Sequence, residues 1–583
     1  MSEAAQNSPD SLSLTQNFGY YGRSKSNTMA LVRKLLHEED NPDAKNITIS
    51  NETAIEVRKT LNMMLGRPIL DILVRYFVTT VNWIDQILYT PWFLKQYQRW
   101  WDLETISSVA DIEFPVLFLR ICSYASQFLP SSTYTVDSVK GVPLSKIRRS
   151  CDDIVNKLLP VCTRLDPRGS LTRVQHIAFA ALGSSSLGQI HASWEALSHA
   201  TRVAQQIGLH DTTVSLTSNI DELEKEMRRR TFCNLYIWDS SLSKRLDRLP
   251  FLYDDLSADI MPQMHLLPDI DIGVDAPDIF TGRVLRAQLA RFWRSHSPTD
   301  CHGFDPIAAA ERYESFCTDF LPTIQPVYAL QPDKKWDKRL PTLPMQRQML
   351  HIAIFEFLCW NFRPAVLQQP GQINSLPGYK QALIPHSRRA SAVAALGVLE
   401  GATTLHTMMG GSHTRFAGII VPIFEAAVPL LCLCADKTFP EDILDGRLHT
   451  VEVDPLGLGM NEVTRDKCMQ AAQNALELLE ALAEVSILAA VGARTLARLI
   501  GQVDSPPLFT PHGDSIETSD VLHAPEAWGC GKMEDFAMRE PGALANFDCA
   551  EISPNLQVAL YNFTDSFGLE DVSYLGEDSI TTG

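Results

Sequence analysis

The chain has 583 residues, of which 45% are hydrophobic and 21% charged, and its formal net charge is −18. This length is too great for one compact core and indicates two to four domains or subdomains. The composition is that of a globular protein, and the negative charge argues against a broad basic surface for nucleic acid.

The acidity is concentrated at the C-terminus. Residues 504–583 contain 15 acidic and 2 basic residues, whereas the remaining 503 contain 54 acidic and 49 basic residues. We predict that residues 504–583 form a disordered acidic tail. Residues 1–16, rich in Ser, Asn and Gln, are predicted to be disordered as well.

Twelve cysteines are scattered along the chain and no CxxC occurs. A binuclear zinc cluster needs six closely spaced thiolates, and that spacing is absent from this sequence. We therefore expect no metal and no cofactor in this chain. The cysteines are predicted to be reduced, mostly buried thiols of an intracellular protein.

The dominant pattern is helical, with apolar runs broken by Pro, Gly or Ser clusters and few alternating β patterns. The fold class predicted is all-α. After the N-terminal residues we predict four regions. They are an N-terminal helical half over 17–270, a connecting segment over 271–345, a C-terminal helical half over 346–503 and the tail over 504–583. The predicted helices are 69–88, 114–128, 144–159, 171–182, 191–207, 222–246, 348–367, 387–405, 416–435 and 464–501.

The most apolar of these segments, 416–435, is long enough to be tested as a membrane span. It carries Glu425 at its middle and prolines at Pro422 and Pro429. A charge at the bilayer centre costs about 2.5–3.5 kcal/mol on insertion scales. We therefore predict a buried core helix, and no membrane partner.

The segment 194–250 carries the most information. Its first helix places Trp194 on an apolar row and ends at Gly208, which suits a left-handed cap. The second is predicted to begin near Asn219 as N-cap, with acids in its first turns. From the residues alone, two core helices and a glycine stop account for this pattern.

Charges on the second helix have two interpretations. Glu224 with Arg228, and Glu226 with Arg230, stand four residues apart and can pair. The run Arg228, Arg229 and Arg230 is either a solvated, salt-bridged face or an exposed patch for phosphate or nuclear import. Asp239 is expected to accept hydrogen bonds from an arginine or a helix end, and not to act as a catalytic acid.

This order of residues resembles the fungal-specific transcription factor domain, the helical regulatory half of zinc-cluster transcription factors. The matching positions are Trp194, Gly208, Leu209, His210, Glu226, Arg228, Arg229, Arg230, Phe232, Asp239 and Arg248. Looser matches are Phe18–Ser24, Val81–Asn82 with Pro91–Phe93 and Tyr97, and Phe362–Pro364, the last as an arginine-proline turn. The resemblance extends over about residues 18–435.

The sequence also departs from the family pattern. Thr231-Phe232 stands where a Trp-Trp pair is common, and Ser240 where Arg is usual. Asp247-Arg248-Leu249-Pro250 replaces a Gly-Arg-Pro turn, so the turn has lost its glycine and gained one residue. These changes bear on the geometry of that turn.

The resemblance implies a multi-helical regulatory (middle homology) domain of a nuclear transcription regulator that controls a fungal gene set, such as a secondary-metabolite cluster. The six-cysteine DNA-binding cluster has no counterpart in this sequence. Promoter contact then runs through a zinc-cluster regulator as homo- or heterodimer partner, or through a segment upstream. The alternative is a helical cofactor or ligand sensor that modulates another transcription factor without binding DNA.

The tail has the acidic–hydrophobic composition of an activation segment that recruits the transcription machinery. Asp and Glu alternate with apolar and aromatic residues, among them Phe563, Phe567, Leu569, Tyr574 and Leu575. An ordinary disordered acidic tail is the other interpretation.

The sequence offers no enzyme motif. GxxxxGK[ST], HExxH and GxSxG are absent. Gly183–Gly188 is one residue too long for a nucleophile elbow and lies between helices rather than after a strand. We therefore predict that the protein is not an enzyme.

Overall fold

The computed structural model describes residues 14, 17–18, 27–36, 49–129, 138–211, 220–253, 260–263, 276–296, 304–410, 415–440 and 462–504. All described helices belong to one unit, Met1–Pro507. The fold is all-α, as predicted, and its described β structure is the short hairpin of β1 (Ser138–Val139) and β2 (Val142–Pro143). The predicted boundaries at residues 270 and 345 remain predictions.

The helices of the first half carry apolar residues at helical spacing, and serine or aspartate caps begin several of them. They are α1 (Thr28–Leu36), α2 (Asn51–Leu61), α3 (Arg67–Tyr76), α4 (Thr90–Trp101), α5 (Val109–Ala125), α6 (Leu144–Leu165), α7 (Leu171–Ser186), α8 (Ile190–Gln206) and α9 (Glu222–Arg245).

The second half contains both the longest and the shortest of the described helices. They are α10 (Thr281–Ser295), α11 (Pro306–Ser315), α12 (Leu343–Leu367), α13 (Pro370–Asn374), α14 (Gly378–Gln381), α15 (Ile384–Met408), α16 (Ala417–Ala435), α17 (Arg465–Ala483) and α18 (Ile487–Asp504). Two of them, α10 and α11, lie within the range predicted as a connecting segment.

Two predicted helices were drawn too long. In segment 69–88 the α-helix ends at Tyr76 and is followed by a π-helical turn over Phe77–Val81. The chain then turns, and the Asn82 amide holds this turn by donating hydrogen bonds to the Leu88 carbonyl and the Thr90 hydroxyl. The segment 464–501 is α17 and α18. No Gly or Pro marks this break, and Ser486 begins the second helix by accepting from the Ala489 N–H at 3.3 Å.

The arginine-proline turn predicted at Phe362–Pro364 is also wrong. These residues lie inside α12, which continues to Leu367 with Pro364 within it. Arg363 points from α12 toward Glu425 on α16, at 3.8 Å between Nη2 and Oε2. An ion pair between helices therefore occupies the place where a turn was expected.

The buried apolar residues form two clusters. The larger extends from Val57 to Ile500 and includes the packing of α12 against α15 and of α16 against α17 and α18. The smaller joins α7, α8, α9 and α10. It contains buried apolar residues of segment 194–250, which we call the motif region. The motif region therefore has a core of its own beside the main one.

The apolar helix α16 packs inside the unit, as predicted for a core helix. Both α12 and α16 are long and apolar enough to cross a membrane by length and composition, and 56% and 61% of their most apolar windows are buried in the fold. The charge at the middle of α16 has partners: Glu425 pairs with Arg245 of α9 at 3.3 Å and with Arg363.

Candidate regulatory site

The first motif helix, α8, ends as its glycine predicted. Gly208 has φ +71°, the left-handed region that glycine tolerates best. The N–H of Leu209 donates to the Ala204 carbonyl at 2.9 Å and that of Gly208 to the Gln205 carbonyl at 3.1 Å. This pair of bonds is a Schellman cap. It buries Leu209 in the smaller core and leaves His210 exposed.

The second motif helix, α9, begins later than predicted. Its N-cap is Asp221, whose carboxylate accepts from the Glu224 N–H at 2.6 Å. Asn219, the predicted cap, lies outside the described residues. A carboxylate at this position satisfies an N-terminal amide and lies at the positive end of the helix dipole.

The three arginines of α9 form neither a solvated face nor an exposed basic patch. Their side chains are 12%, 21% and 3% exposed for Arg228, Arg229 and Arg230. Arg228 donates to the Ile207 carbonyl at the end of α8 at 2.7 Å and pairs with Glu224 at 3.6 Å. The predicted salt bridges are therefore confirmed, but both interpretations that required exposure are wrong.

Glu226 is the acid at the centre of this cluster. Its carboxylate is fully buried and accepts from Arg230 Nε at 3.0 Å and Arg229 Nη1 at 3.5 Å. The backbone N–H of Gln263 donates a further hydrogen bond at 3.1 Å. A buried carboxylate is tolerated only when it is paired in this way, because desolvation of an unpaired charge costs several kcal/mol.

Arg230 connects α9 to the segment before α10. Its guanidinium pairs with Asp278 at 3.4 Å and lies 4.8 Å from the centroid of the Phe280 ring. Asp278 also accepts from the Phe280 N–H at 2.6 Å. The charged cluster thus sets the position at which α10 begins.

A second buried acid, Asp239, holds the chain after α9. It accepts from the backbone N–H groups of Phe251 at 3.0 Å and Leu252 at 2.9 Å, and from Arg294 Nη2 at 2.9 Å. Its side chain is fully buried. The prediction that Asp239 accepts hydrogen bonds from an arginine is therefore confirmed.

The turn after α9 enters the left-handed region without a glycine. Asp247 has φ +52°, and the Arg248 N–H donates to the Ser243 carbonyl at 2.8 Å. Aspartate is among the few residues that enter the left-handed region at low cost. Arg248 then stacks on the Trp194 ring at 4.2 Å, and Trp194 packs against Phe251 at 5.0 Å.

A third cluster joins α9 to the segment after α3. Asn234 is fully buried; its amide donates to the Asp85 carbonyl at 2.8 Å, and its carbonyl accepts from Arg283 Nε at 2.7 Å. Arg283 also pairs with the Asp85 carboxylate at 3.1 Å. The polar interior of the site therefore links three distant parts of the chain.

Comparison with known proteins places these clusters in a family. The family model described as the fungal specific transcription factor domain matches residues 73–280. Transcription factor xilB of Penicillium rubens is 43% identical over 515 residues, which cover 85% of this chain and 76% of that protein. Probable transcription factor sol4 of Alternaria solani is 41% identical over 458 residues, covering 77% of this chain and 81% of that protein.

This chain belongs to the fungal-specific transcription factor domain family. Membership confirms the resemblance drawn from the motif and the prediction of a transcription regulator that is not an enzyme. The matched range is narrower than the predicted 18–435.

The fungal domain as matched is structurally incomplete without α10. Residues 73–280 include the buried acids Glu226 and Asp239 and end just before this helix. Arg283 and Arg294, which pair with Asp85 and Asp239, lie beyond that end. The ion pairs therefore show that the folded regulatory unit extends past residue 280.

Several residues of these buried polar clusters were missed in the sequence. They are Asp85, Asn234, Asp278, Arg283 and Arg294. Asn234 carried a signal, since it is a polar residue between Cys233 and Leu235 in an apolar stretch of α9. The others lie tens of residues from their partners, so helical spacing cannot pair them.

Other predicted features fall outside the structure. The tail residues Phe563, Phe567, Leu569, Tyr574 and Leu575 lie beyond the described residues, as does all of Phe18–Ser24 except Phe18, which is exposed. Within the described part of the chain, no group of three or more His, Cys, Asp or Glu side chains could hold a metal ion.

Proposed function

We propose that this protein acts in the nucleus to control the transcription of a specific fungal gene set through its helical regulatory unit and its acidic tail. The observation that carries the proposal is the 43% identity over 515 residues to a transcription factor. The buried clusters around Glu226 and Asp239 support a regulatory unit, because they tie α8, α9 and α10 into one body that can transmit binding at its surface.

We extend the proposal to a secondary-metabolite biosynthetic cluster as the gene set. Promoter occupancy of the tagged chain in its host, measured with transcript changes on deletion, tests both parts. Occupancy with loss of the cluster's transcripts is the expected result. Transcript changes without occupancy would instead indicate a cofactor that acts on another transcription factor away from DNA. The absence of both occupancy and transcript changes would overturn the proposal.

The tail is proposed to activate by binding the transcription machinery. Residues 504–583, fused to a heterologous DNA-binding module, should raise reporter expression above that of the module alone. Replacing Phe563, Phe567, Leu569, Tyr574 and Leu575 by alanine should remove most of this signal, because apolar side chains dock in a partner's groove.

A matched control keeps the tail's charge and length. Alanine at Ser579, Thr581 and Thr582 changes polar residues close to the same segment and should leave the signal unchanged. A reporter signal that is equal in both variants would contradict the proposed role of the apolar residues.

The zinc cluster that reads DNA is proposed to come from a partner regulator in a homo- or heterodimer, or from an upstream segment. Co-purification of the tagged chain with a zinc-cluster protein, followed by zinc analysis of the complex, tests the partner. Occupancy that persists in a strain without that partner would contradict it.

A further inference from the structure

A small cavity lies beside the third polar cluster, between α10, α12 and the segment after α3. Its volume is about 10 Å³, which is room for about one water molecule. Trp83, Ile84 and Met349 provide its apolar wall, and Arg283, Arg286 and Gln346 its polar wall. All three polar side chains can donate hydrogen bonds.

Arg283 has a donor left over. Nε binds Asn234 at 2.7 Å and Nη1 pairs with Asp85 at 3.1 Å, but the buried Nη2 has no hydrogen-bond partner. The side chain is only 5% exposed. Since an unpaired buried donor destabilises the folded protein, a ligand atom that accepts from it would be bound favourably.

Arg286 is the unpaired charge. Among the described residues, no carboxylate lies within 4.0 Å of its guanidinium and no acceptor binds it, although it is half-buried. Burial, and then the neighbouring Arg283, lower the pKa of Arg286 to about 10. It is still protonated at neutral pH and has no counterion in contact.

Gln346 adds a neutral donor. Its carbonyl accepts from the Tyr328 hydroxyl at 3.4 Å, which leaves the amide N–H₂ as the group that can serve a ligand. Gln346 stands ten residues before Glu356 on α12, close to three helical turns. The two side chains therefore point about 80° apart around the helix axis.

The charges near the cavity do not balance. The Asp85 carboxylate contacts Arg283, and no carboxylate of the described residues contacts Arg286. Glu356 is the next acid, and burial and then Glu425 raise its pKa to about 7. Its negative charge near neutral pH is therefore reduced, which leaves the positive charge of Arg286 poorly compensated.

We propose that this cavity is a binding site for one oxyanion, the carboxylate or phosphate group of a small acid. Arg286 holds its charge, while Arg283 Nη2 and Gln346 donate to the oxygen that enters the cavity. The space admits about one oxygen atom, so the rest of the ligand lies at the mouth against Trp83 and Met349. This inference concerns binding and holds independently of the proposed function.

Binding at this place would reach the motif region directly. Arg283 is hydrogen-bonded to Asn234 of α9, two turns from Glu226 on the same helix. An oxyanion on Arg283 and Arg286 would strengthen the junction of α9, α10 and α12. The expected result is a ligand that stabilises the folded chain.

The test uses the full 583-residue chain, with inorganic phosphate and sodium benzoate as probes and sodium chloride at equal ionic strength as reference. At least one probe should raise the Tm above the chloride value, and calorimetry should give its Kd. Arg286→Gln should weaken that binding about tenfold or more, because a charge-assisted pair is lost. A rise with benzoate but not phosphate identifies an organic carboxylate as the ligand class, and the reverse identifies a phosphate.

Two further variants keep the test decisive. Arg498→Gln removes an exposed charge from α18 and should leave Kd unchanged. Arg286→Lys keeps the charge but loses the planar fork, so binding should weaken even if Arg286→Gln fails to fold. The proposal is overturned if neither probe exceeds chloride, or if the Arg286 variants bind as tightly as the natural chain.

Discussion

At the scale of single residues, buried acids define the motif region. Glu226 and Asp239 are fully enclosed, and each binds an arginine together with backbone amides from a later part of the chain. An acid in this position acts as a junction between segments. Its removal leaves an unpaired arginine inside the protein, which is more costly than the loss of the bond itself.

Glu226→Gln should lower the free energy of unfolding by about 3–5 kcal/mol, since Arg229 and Arg230 lose their common partner. Glu222→Gln is the matched control on the same helix, because Glu222 is 68% exposed where it pairs with Lys225, and it should cost no more than about 1 kcal/mol. Urea denaturation of the full chain measures both. Equal losses would contradict the structural role assigned to Glu226.

The two glycines Gly208 and Gly371 should respond with opposite sign to alanine. Gly208→Ala places a side chain at φ +71° and should cost about 1–2 kcal/mol. Gly371 lies in α13 with open space where a Cβ would stand, so alanine there should add about 0.5 kcal/mol by restricting the unfolded chain. Thermal unfolding of both variants measures this contrast; a loss of similar size at Gly371 would contradict the assignment.

At the scale of elements, the junction of α9, α10 and α12 contains ionisable side chains with and without a hydrogen-bonding partner. The Lys244 amino group lies over the Trp293 ring, 3.2 Å from the centroid of the Trp360 ring, and has no hydrogen-bond acceptor. Burial, followed by Arg363, lowers its pKa to about 4, and Glu356 opposes that effect. The indole faces attract a cation, but they do not replace its hydration.

Lys244 should make the protein less stable as the pH falls. Between pH 4 and about 10.4 the unfolded chain holds a proton on this lysine that the folded chain lacks, so stability rises with pH by up to about 1.4 kcal/mol per unit. Glu356, with a raised folded pKa of about 7, acts in the opposite sense only below that value. As the pH approaches 9, buried thiols such as Cys151 and Cys233, whose pKa burial raises to about 12, also act in the opposite sense. The contribution of Lys244 is therefore the difference in slope between the natural chain and a variant without this lysine.

Between pH 7 and 9, Lys244→Met should reduce the dependence of the unfolding free energy on pH and raise stability at pH 7. Lys335→Met, at a side chain that is 56% exposed, should leave the slope unchanged. Denaturant titrations at pH 7, 8 and 9 measure the slopes. An unchanged slope in Lys244→Met would show that the lysine remains charged in the folded protein.

At the scale of the whole molecule, structure and charge are segregated. The buried apolar residues found in the described ranges lie between Met29 and Ile500, whereas the acidic excess lies in residues 504–583. Stability is therefore expected from the helical unit and activation from the tail.

Removal of residues 508–583 should leave the Tm of the helical unit within about 1 °C of the full chain, because every residue of the described core is kept. Removal of residues 484–583 is the contrasting truncation. It deletes α18, whose Ala489, Ala493 and Leu496 belong to the main core, and should abolish cooperative unfolding. Calorimetry of both truncations decides whether the boundary is correctly placed.

The sequence by itself determined the all-α class, most helices to within a few residues, the glycine cap at Gly208 and the family. These features depend on spacing along one helix, which the order of residues contains directly. The same local rule predicted the pairs Glu224–Arg228 and Glu226–Arg230. It failed at the break before Ser486, where no Gly or Pro marks the end of α17.

Only the tertiary structure decided what those pairs do. From the sequence we expected the run Arg228 to Arg230 to be exposed. Its spacing identifies ion-pair partners on the same helix but not the other segments that cover these arginines. Asp278, Gln263 and the Ile207 carbonyl come from other segments and enclose it. The cavity at Arg286 could not be predicted for the same reason, since an arginine is unpaired only relative to side chains that folding brings near it.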